Sequence, residues 1–91
     1  MEIIVEPSKI VVRAEGEDLA FLDFSRVKEE LLVLHKTSIC IMGRGMGLCL
    51  KMIGELVTLA RRENRKVVAL CPIAERELHR KSDYQDVLME N

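Results

Sequence analysis

The segment Gly43-Arg44-Gly45-Met46-Gly47 has glycine at alternate positions and joins a strand-like apolar run to a helix-like one. Glycine adopts positive φ at little steric cost and has no Cβ above the backbone, so successive N–H groups in such a segment can turn toward one anion. A helix that begins directly after the loop adds unpaired N–H groups and a positive dipole end. The segment therefore predicts a site for a phosphorylated ligand. The alternative is a tight strand-to-helix turn that binds nothing.

Two familiar phosphate-binding motifs do not fit this loop. A dinucleotide fingerprint needs a further glycine at position 48, which is Leu48, and a carboxylate after the next strand, where the chain has Cys71. A nucleotide P-loop needs a lysine followed by serine or threonine, whereas Gly47 is followed by Leu48 and Cys49. The loop therefore matches neither of these two nucleotide-binding motifs.

Length and composition indicate one small domain that spans residues 1–91. Apolar residues make up 48% of the chain but aromatic residues only 3%, so the core must be aliphatic. The formal charge of −1 creates no general attraction for nucleic acid. The basic run 61–66 is interpreted as the solvated end of a helix, because positive charge there complements the helix dipole.

The cysteines indicate a reducing compartment. Cys40, Cys49 and Cys71 form no Cys-x-x-Cys pair and are odd in number, so neither a metal site nor a disulfide framework is predicted. The acidic N-terminus is unlike a signal peptide, and no apolar run approaches the ~20 residues of a membrane span. We expect a soluble cytoplasmic protein with no membrane contact.

The hydrophobic pattern predicts a mixed α/β (α+β) fold. Strands are expected at 2–5, 9–14, 18–24, 31–41 and 66–71, helices at 45–64 and 74–81, and a final strand or turn within 82–91. In the strand 31–41, one face is expected to hold Leu32, Leu34, Lys36, Ser38 and Cys40. The polar run 25–30 is expected to separate the third strand from the fourth.

The central unit is strand, glycine loop, helix and strand. A right-handed crossover places its two strands in parallel, within a sheet that is otherwise mostly antiparallel. The carboxyl ends of parallel strands meet at one edge, where ligands of open α/β sheets bind. Cys40, the 43–47 loop and Cys71 are therefore expected to converge there.

From Leu19 to Leu88 the chain resembles the small single-domain GNAT-type acetyltransferases, in the branch that has a Cys-Pro segment after the second core strand. The resemblance rests on 20–22, the glycine loop 43–47, the Leu70-Cys71-Pro72 segment with its strand, and 83–88. The chain departs from the family pattern at Met42, where glutamine or arginine is usual, and in a shorter 37–43 segment. The family's His-Pro-Glu-Tyr ending is Lys81-Ser82-Asp83-Tyr84 here, so neither His79 nor Lys81 inherits a role.

The resemblance implies acetyl-coenzyme A as co-substrate, with no metal. Backbone amides of Gly43, Arg44, Gly45, Met46 and Gly47 would hold its pyrophosphate, and the Arg44 guanidinium is a further candidate for phosphate contact. The strand end at Ile39, Cys40 and Ile41 would pair with the pantetheine amides. The implied reaction is acetyl transfer to an amine, which the sequence does not identify.

Cys71 is the candidate catalytic residue, because it ends a core strand beside the expected acyl position and a cysteine there can accept an acyl group or donate a proton. The alternative is an inert buried thiol. His35 lies about 20 Å along an extended strand from the ligand edge and is not a candidate base.

Three functions follow from these observations. The first is an acetyl-coenzyme A-dependent N-acetyltransferase in which the amine attacks the thioester directly, with an acetyl-Cys71 step as a secondary route. The second is a non-catalytic domain that binds coenzyme A or another phosphate ligand. The third is a small nucleic-acid-binding module that uses Arg44 and the basic run 61–66, although low aromatic content disfavours base stacking. The sequence leaves the oligomeric state open.

Overall fold

The computed structural model describes residues 1–40 and 43–89. Within these residues, one sheet has five strands in the order in which they occur in the chain: β1 (Glu2–Val5), β2 (Lys9–Ala14), β3 (Glu17–Val27), β4 (Leu31–Ile39) and β5 (Lys66–Ala69). The first four pair antiparallel, and β5 is parallel to β4. Helix α1 (Leu48–Glu63) connects β4 to β5, and α2 (Pro72–Arg80) follows β5. The predicted mixed α/β fold, with its parallel pair, is confirmed.

Several element boundaries differ from the prediction. β4 ends at Ile39 and not at position 41, and α1 begins at Leu48 and not at position 45. β3 continues to Val27 because Arg26 and Val27 still pair with β4, so the polar run 25–30 is only partly a connection. β5 ends at Ala69 and not at position 71. α2 begins two residues early, at Pro72, whose fixed φ suits the first helical position and whose missing N–H costs nothing there.

A β-bulge at His35 changes which side chains of β4 face the helices. Asp23 pairs with Lys36, but the next residue, Phe24, pairs with Leu34, so His35 is extra on β4. An extra residue moves every later side chain to the opposite face. The predicted face is therefore correct for Leu32 and Leu34, which are buried, and wrong beyond them.

After the bulge, odd-numbered residues of β4 face the helices. Thr37 pairs with the fully buried Leu22 and is half-buried, while Ser38 pairs with Phe21 on the other face and is exposed. Lys36 is also on that other face, with its ammonium 5.7 Å from the centre of the Phe21 ring.

The core lies between the sheet and the helices and is almost entirely aliphatic. α1 contributes one buried stripe: Leu48, Met52, Ile53, Leu56, Val57, Leu59 and Ala60. Ala74 and Leu78 of α2 join the same cluster. The predicted wide core face of α1 is confirmed. The helix ends at Asn64, whose N–H donates to the carbonyls of Ala60 and Arg61. The positive φ of Asn64, 59°, turns the next N–H, that of Arg65, back to the Ala60 carbonyl at 2.8 Å.

The C-terminal segment covers the outer edge of β5. Residues Ser82–Val87 form a 3₁₀ helix, and Leu88 then makes a single parallel bridge to Val67. The prediction allowed a strand or a last turn, and the chain forms a turn followed by this bridge. Among the described residues, no helix is both long and apolar enough to cross a membrane.

Candidate active site

The N-terminus of α1 presents its backbone N–H groups with no side chain competing for them. Gly47 precedes the helix with φ 68° and ψ 26°, no side chain caps the helix, and its first turn has no acidic residue. The first N–H group that bonds within the helix is that of Lys51, which donates to the Gly47 carbonyl at 3.2 Å. The earlier N–H groups have no acceptor within the helix and lie at the positive end of its dipole. This is a favourable place for an anion.

The preceding loop requires glycine for two different reasons, backbone conformation and close packing. Gly45 and Gly47 have φ of 80° and 68°, values that other L-residues rarely adopt, and the space beside each is open. Gly43 instead is buried, and a Cβ there would lie 2.9 Å from both the Leu19 carbonyl oxygen and the Leu48 Cδ1. Alternating glycine thus serves backbone conformation at two positions and close packing at the third.

The other residues predicted for the coenzyme lie around this loop. Arg44 and Met46 are exposed within it. Ile39 is the last residue of β4 and packs against the core. Its Cγ2 would lie 3.3 Å from a Cβ added at Gly43. Ile41 lies outside the described residues, as does the departure from the family pattern at Met42.

Cys40 is not placed with Cys71 as expected. Its N–H donates to the Leu19 carbonyl at 2.9 Å, which continues the pairing with β3, and it is exposed. It lines an open depression of about 320 Å³ that also includes Phe21 and Ser38, on the sheet face away from the helices. The expected convergence rests on the carboxyl ends of β4 and β5 meeting at one edge of the sheet, but the bulge at His35 turns Cys40 to the face opposite the helices.

The parallel strands part beside the loop. β5 pairs with β4 only over Leu31–Leu34, and the last contact is the Leu70 N–H, which donates to the Leu34 carbonyl at 2.8 Å. From His35 onward β4 has no strand on that side among the described residues. The gap is the kind of site in which an extended ligand with amide groups can pair with a strand edge.

Cys71 lies in this gap, at the N-terminus of α2. It is half-buried, and its sulfur is 3.8 Å from the Thr37 hydroxyl oxygen. Burial raises the pKa of the Cys71 thiol, but the backbone N–H of Ala74, the Thr37 hydroxyl and the backbone N–H groups of Ile73 and Thr37 together outweigh it, so its pKa is lowered. A lowered pKa increases the thiolate fraction near neutral pH.

Cys49 has the opposite electrostatic environment although it lies nearby, in the first turn of α1. Burial raises the pKa of the Cys49 thiol, the Thr37 hydroxyl opposes that rise, and the Cys71 and Glu77 charges add to it. Cys49 packs against the core. Sequence analysis did not identify Thr37, because its orientation depends on the bulge and no local motif signals it.

Apolar side chains flank Cys71 on both sides. Leu70 is 62% exposed and Ile73 is 61% exposed, which is unusual for large aliphatic residues. Met46 and Leu50 are also exposed, by 44% and 42%. Met46 and Leu50 lie at the start of α1, and Leu70 and Ile73 lie at the start of α2. The site thus combines a helix end suited to an anion with exposed apolar side chains.

The histidines and the basic run lie elsewhere. His35 Nε2 is 2.7 Å from the Ser25 hydroxyl, and His79 lines a small cleft between α2 and β5. In the basic run, Arg61 pairs with Asp86 at 2.9 Å and Arg65 with Glu63 at 2.9 Å. These ion pairs compensate two of the four basic side chains in the run, which weakens the nucleic-acid hypothesis.

Comparisons with known proteins agree with the observed fold. The family model of GCN5-related N-acetyl-transferases matches residues 9–87. Among solved structures, the chain is similar to the NMR solution structure of a GCN5-like N-acetyltransferase candidate from Staphylococcus aureus, with a TM-score of 0.75 and 28% sequence identity. That match covers 99% of this chain and 89% of the other. A comparison with curated proteins gives no match.

Proposed function

This chain belongs to the GCN5-related N-acetyltransferase family, and from that premise we propose that it transfers an acetyl group from acetyl-coenzyme A to an amine. The observation that supports the proposal most strongly is the adjacency of two features: an uncapped helix N-terminus suited to a pyrophosphate, and a gap between β4 and β5 that holds a thiol of lowered pKa. An anion site alone would fit many ligands. An anion site beside a strand edge and a reactive thiol fits an acyl thioester.

Three parts of acetyl-coenzyme A have a proposed counterpart in this site: the pyrophosphate, the pantetheine amides and the methylene groups next to the thioester. The N–H groups of residues 44–47 and of the first turn of α1 would bind the pyrophosphate, with the exposed Arg44 guanidinium beside them. Gly43 does not contribute as predicted, because its N–H donates to the Cys40 carbonyl at 3.0 Å. The free edge of β4 near Thr37 and Ile39 would pair with the pantetheine amides. The exposed Leu70 and Ile73 side chains would cover the methylene groups next to the thioester.

Transfer forms a C–N bond and breaks a C–S bond at the thioester carbonyl. The amine nitrogen attacks, it loses one proton, and the departing coenzyme A thiolate gains one. The protein must therefore orient the carbonyl, stabilise its developing negative charge and provide a route for the proton. The backbone N–H groups at the α2 N-terminus are suitably placed for the second task.

Cys71 is the proposed reacting side chain. In the direct route it lies beside the thioester and donates the proton to the leaving thiolate. In the covalent route its thiolate attacks first, forms acetyl-Cys71 and releases coenzyme A, and the amine then takes the acetyl group. The lowered pKa of Cys71 favours the covalent route, because the thiolate is the nucleophile.

A transfer assay tests this proposal. The reduced protein is mixed with acetyl-coenzyme A and a panel of primary amines, and acetylated amine is measured by mass spectrometry. We expect product with at least one amine, and a loss of about ten-fold or more in Cys71→Ser, whereas His79→Gln on the exposed end of α2 retains the rate. Acetyl-Cys71 in acid-quenched samples would establish the covalent route. Saturable binding of acetyl-coenzyme A without transfer to any amine would contradict enzymatic function.

That last result would support the second candidate, a coenzyme A-binding domain without catalysis. One observation favours it: both histidines lie outside the gap, so no imidazole is placed there to accept the amine's proton. Binding without turnover in wild-type protein, over the whole pH range in which it is folded, would decide for this candidate.

A further inference from the structure

The bulge at His35 gives one side chain of β4 a position that an unbroken strand would not. The extra residue reverses which side chains of β4 face the helices. Thr37 therefore lies on the helix side of the sheet, where it pairs with the fully buried Leu22 of β3. β5 has already ended at Ala69, so no strand covers this part of β4. A hydroxyl group therefore projects into the gap between the strands.

Cys71 occupies the place beside Thr37 that a strand partner would otherwise take. The Thr37 Oγ1 lies 3.8 Å from the Cys71 Sγ, a hydrogen-bond distance for sulfur. The Thr37 backbone N–H also acts on this sulfur and favours its thiolate form. Thr37 thus contacts this thiol through its hydroxyl, and its backbone N–H adds to the lowering of the Cys71 pKa.

We propose that Thr37 is the positioning residue that makes Cys71, and not the neighbouring Cys49, the reactive thiol of this site. Its place in acetyl transfer depends on the function proposed above, but its effect on the thiol does not. A hydroxyl has a single hydrogen to donate, so it can stabilise one thiolate at a time. Cys71 also receives the favourable N-terminal environment of α2, and the hydrogen goes to the sulfur that is already the more acidic.

The other titratable groups near this pair oppose ionisation at Cys49. Cys49 itself comes from the first turn of α1, and Glu77 comes from α2, where Arg80 binds it in a bidentate ion pair at 2.6 and 3.1 Å. The charges of both Cys71 and Glu77 raise the pKa of Cys49. Burial and a thiolate at Cys71 therefore both favour the protonated form of Cys49.

The three cysteines can be followed separately. Trypsin cleavage after lysine and arginine places Cys40, Cys49 and Cys71 in different peptides, namely 37–44, 45–51 and 67–76. Alkylation of the reduced protein with iodoacetamide between pH 5.5 and 9, quantified on each peptide, gives a pH profile for each thiol. The readout needs neither coenzyme nor amine, so failure of the proposed enzymatic function would not affect it.

The test compares wild type with Thr37→Val and Thr37→Ser. Valine keeps the shape of threonine and suits a strand, but it cannot donate, whereas serine keeps the hydroxyl. We expect Thr37→Val to slow Cys71 alkylation at pH 7 by about five-fold and to move its profile to higher pH, as loss of a hydrogen bond of about 1 kcal/mol predicts. Thr37→Ser should remain within about two-fold of wild type.

Three results would overturn the proposal. One is an unchanged Cys71 profile in Thr37→Val. Another is a Cys71 rate that falls as far in Thr37→Ser as in Thr37→Val, which would assign the effect to packing. The third is faster alkylation of Cys49 than of Cys71 in wild type at pH 7. Circular dichroism melts of both variants establish that folded protein is compared.

Discussion

The backbone of Gly43 passes so close to the Leu19 carbonyl that a Cβ at position 43 would lie 2.9 Å from the carbonyl oxygen. The Leu48 Cδ1 would be equally close, and the Ile39 Cγ2 would be 3.3 Å away. A leucine side chain can rotate, but a carbonyl within a paired strand cannot move without breaking its sheet. This contact fixes where the loop leaves β4 and hence where α1 begins.

Gly43→Ala should therefore displace the loop. We expect a destabilisation of about 1–3 kcal/mol, as for other overpacked sites, together with weaker binding of acetyl-coenzyme A. Urea denaturation and calorimetric titration measure the two effects. Wild-type stability together with wild-type affinity in this variant would show that the close approach has no importance.

The ion pair between Arg26 and Glu63 links β3 to the end of α1. Two parallel hydrogen bonds of 2.8 and 2.7 Å join the side chains, and Arg65 adds a third to the same carboxylate at 2.9 Å. Arg26 chiefly, and then Arg65, overcome the effect of burial and lower the pKa of Glu63 from 4.5 to about 2. The pair also ties the Pro7 carbonyl to this corner through Arg26 Nη1 at 2.6 Å.

Glu63→Gln should lower stability at pH 7 by about 1 kcal/mol, the upper range for a partly exposed pair. Because the folded pKa is depressed, the contribution is complete above pH 4.5 and is lost as the pH falls from there toward about 2. Urea midpoints of wild type and variant should therefore converge in acid, and also in 1 M salt. Glu29→Gln, in the turn before β4, is the matched control. A pH-independent difference between wild type and Glu63→Gln would refute the electrostatic explanation.

Gly54 lies in the middle of α1, where glycine lowers helix stability. A Cβ there would be 3.4 Å from the Tyr84 hydroxyl oxygen, which is ordinary van der Waals contact. We expect Gly54→Ala to raise the free energy of unfolding by about 0.5–1 kcal/mol, the helix-propensity difference. Gly54→Leu should do the reverse, because the larger side chain would displace Tyr84. Destabilisation by alanine itself would mean that the packing between the 3₁₀ helix and α1 is tighter than this contact indicates.

Much of the fold was predictable because its signals are local. The apolar spacing of α1, the glycines before it and Pro72 after β5 each act within a few residues of their own position. The parallel pairing of β4 with β5 then followed from the handedness of the crossover. The positive φ of Gly45 and Gly47 was likewise inferred correctly from residue type.

The bulge at His35 was not predictable in the same way. A bulge is a property of two paired strands, and the residues around His35 contain neither glycine nor proline to mark it. Its consequences are all nonlocal: Thr37 turns inward, Ser38 turns outward, and Cys40 separates from Cys71. The site therefore contains a residue that strand alternation had assigned to the wrong face.

The central claim, that acetyl-coenzyme A binds at the 43–47 loop, can be tested at Gly45. Its φ of 80° and the open space beside it mean that aspartate and asparagine can replace it at a similar cost of about 1 kcal/mol, since both residues tolerate this conformation. The two variants then differ in charge alone. Aspartate would place a carboxylate where the pyrophosphate is proposed to bind.

The most direct measurement is calorimetric titration of wild type, Gly45→Asp and Gly45→Asn, all reduced, with acetyl-coenzyme A, using ATP and a short DNA duplex as comparison ligands. We predict saturable binding of acetyl-coenzyme A to wild type with little response to ATP or DNA, loss of binding in Gly45→Asp, and binding retained within a few-fold in Gly45→Asn. No binding to wild type, or equal affinity in all three proteins, would contradict the claim.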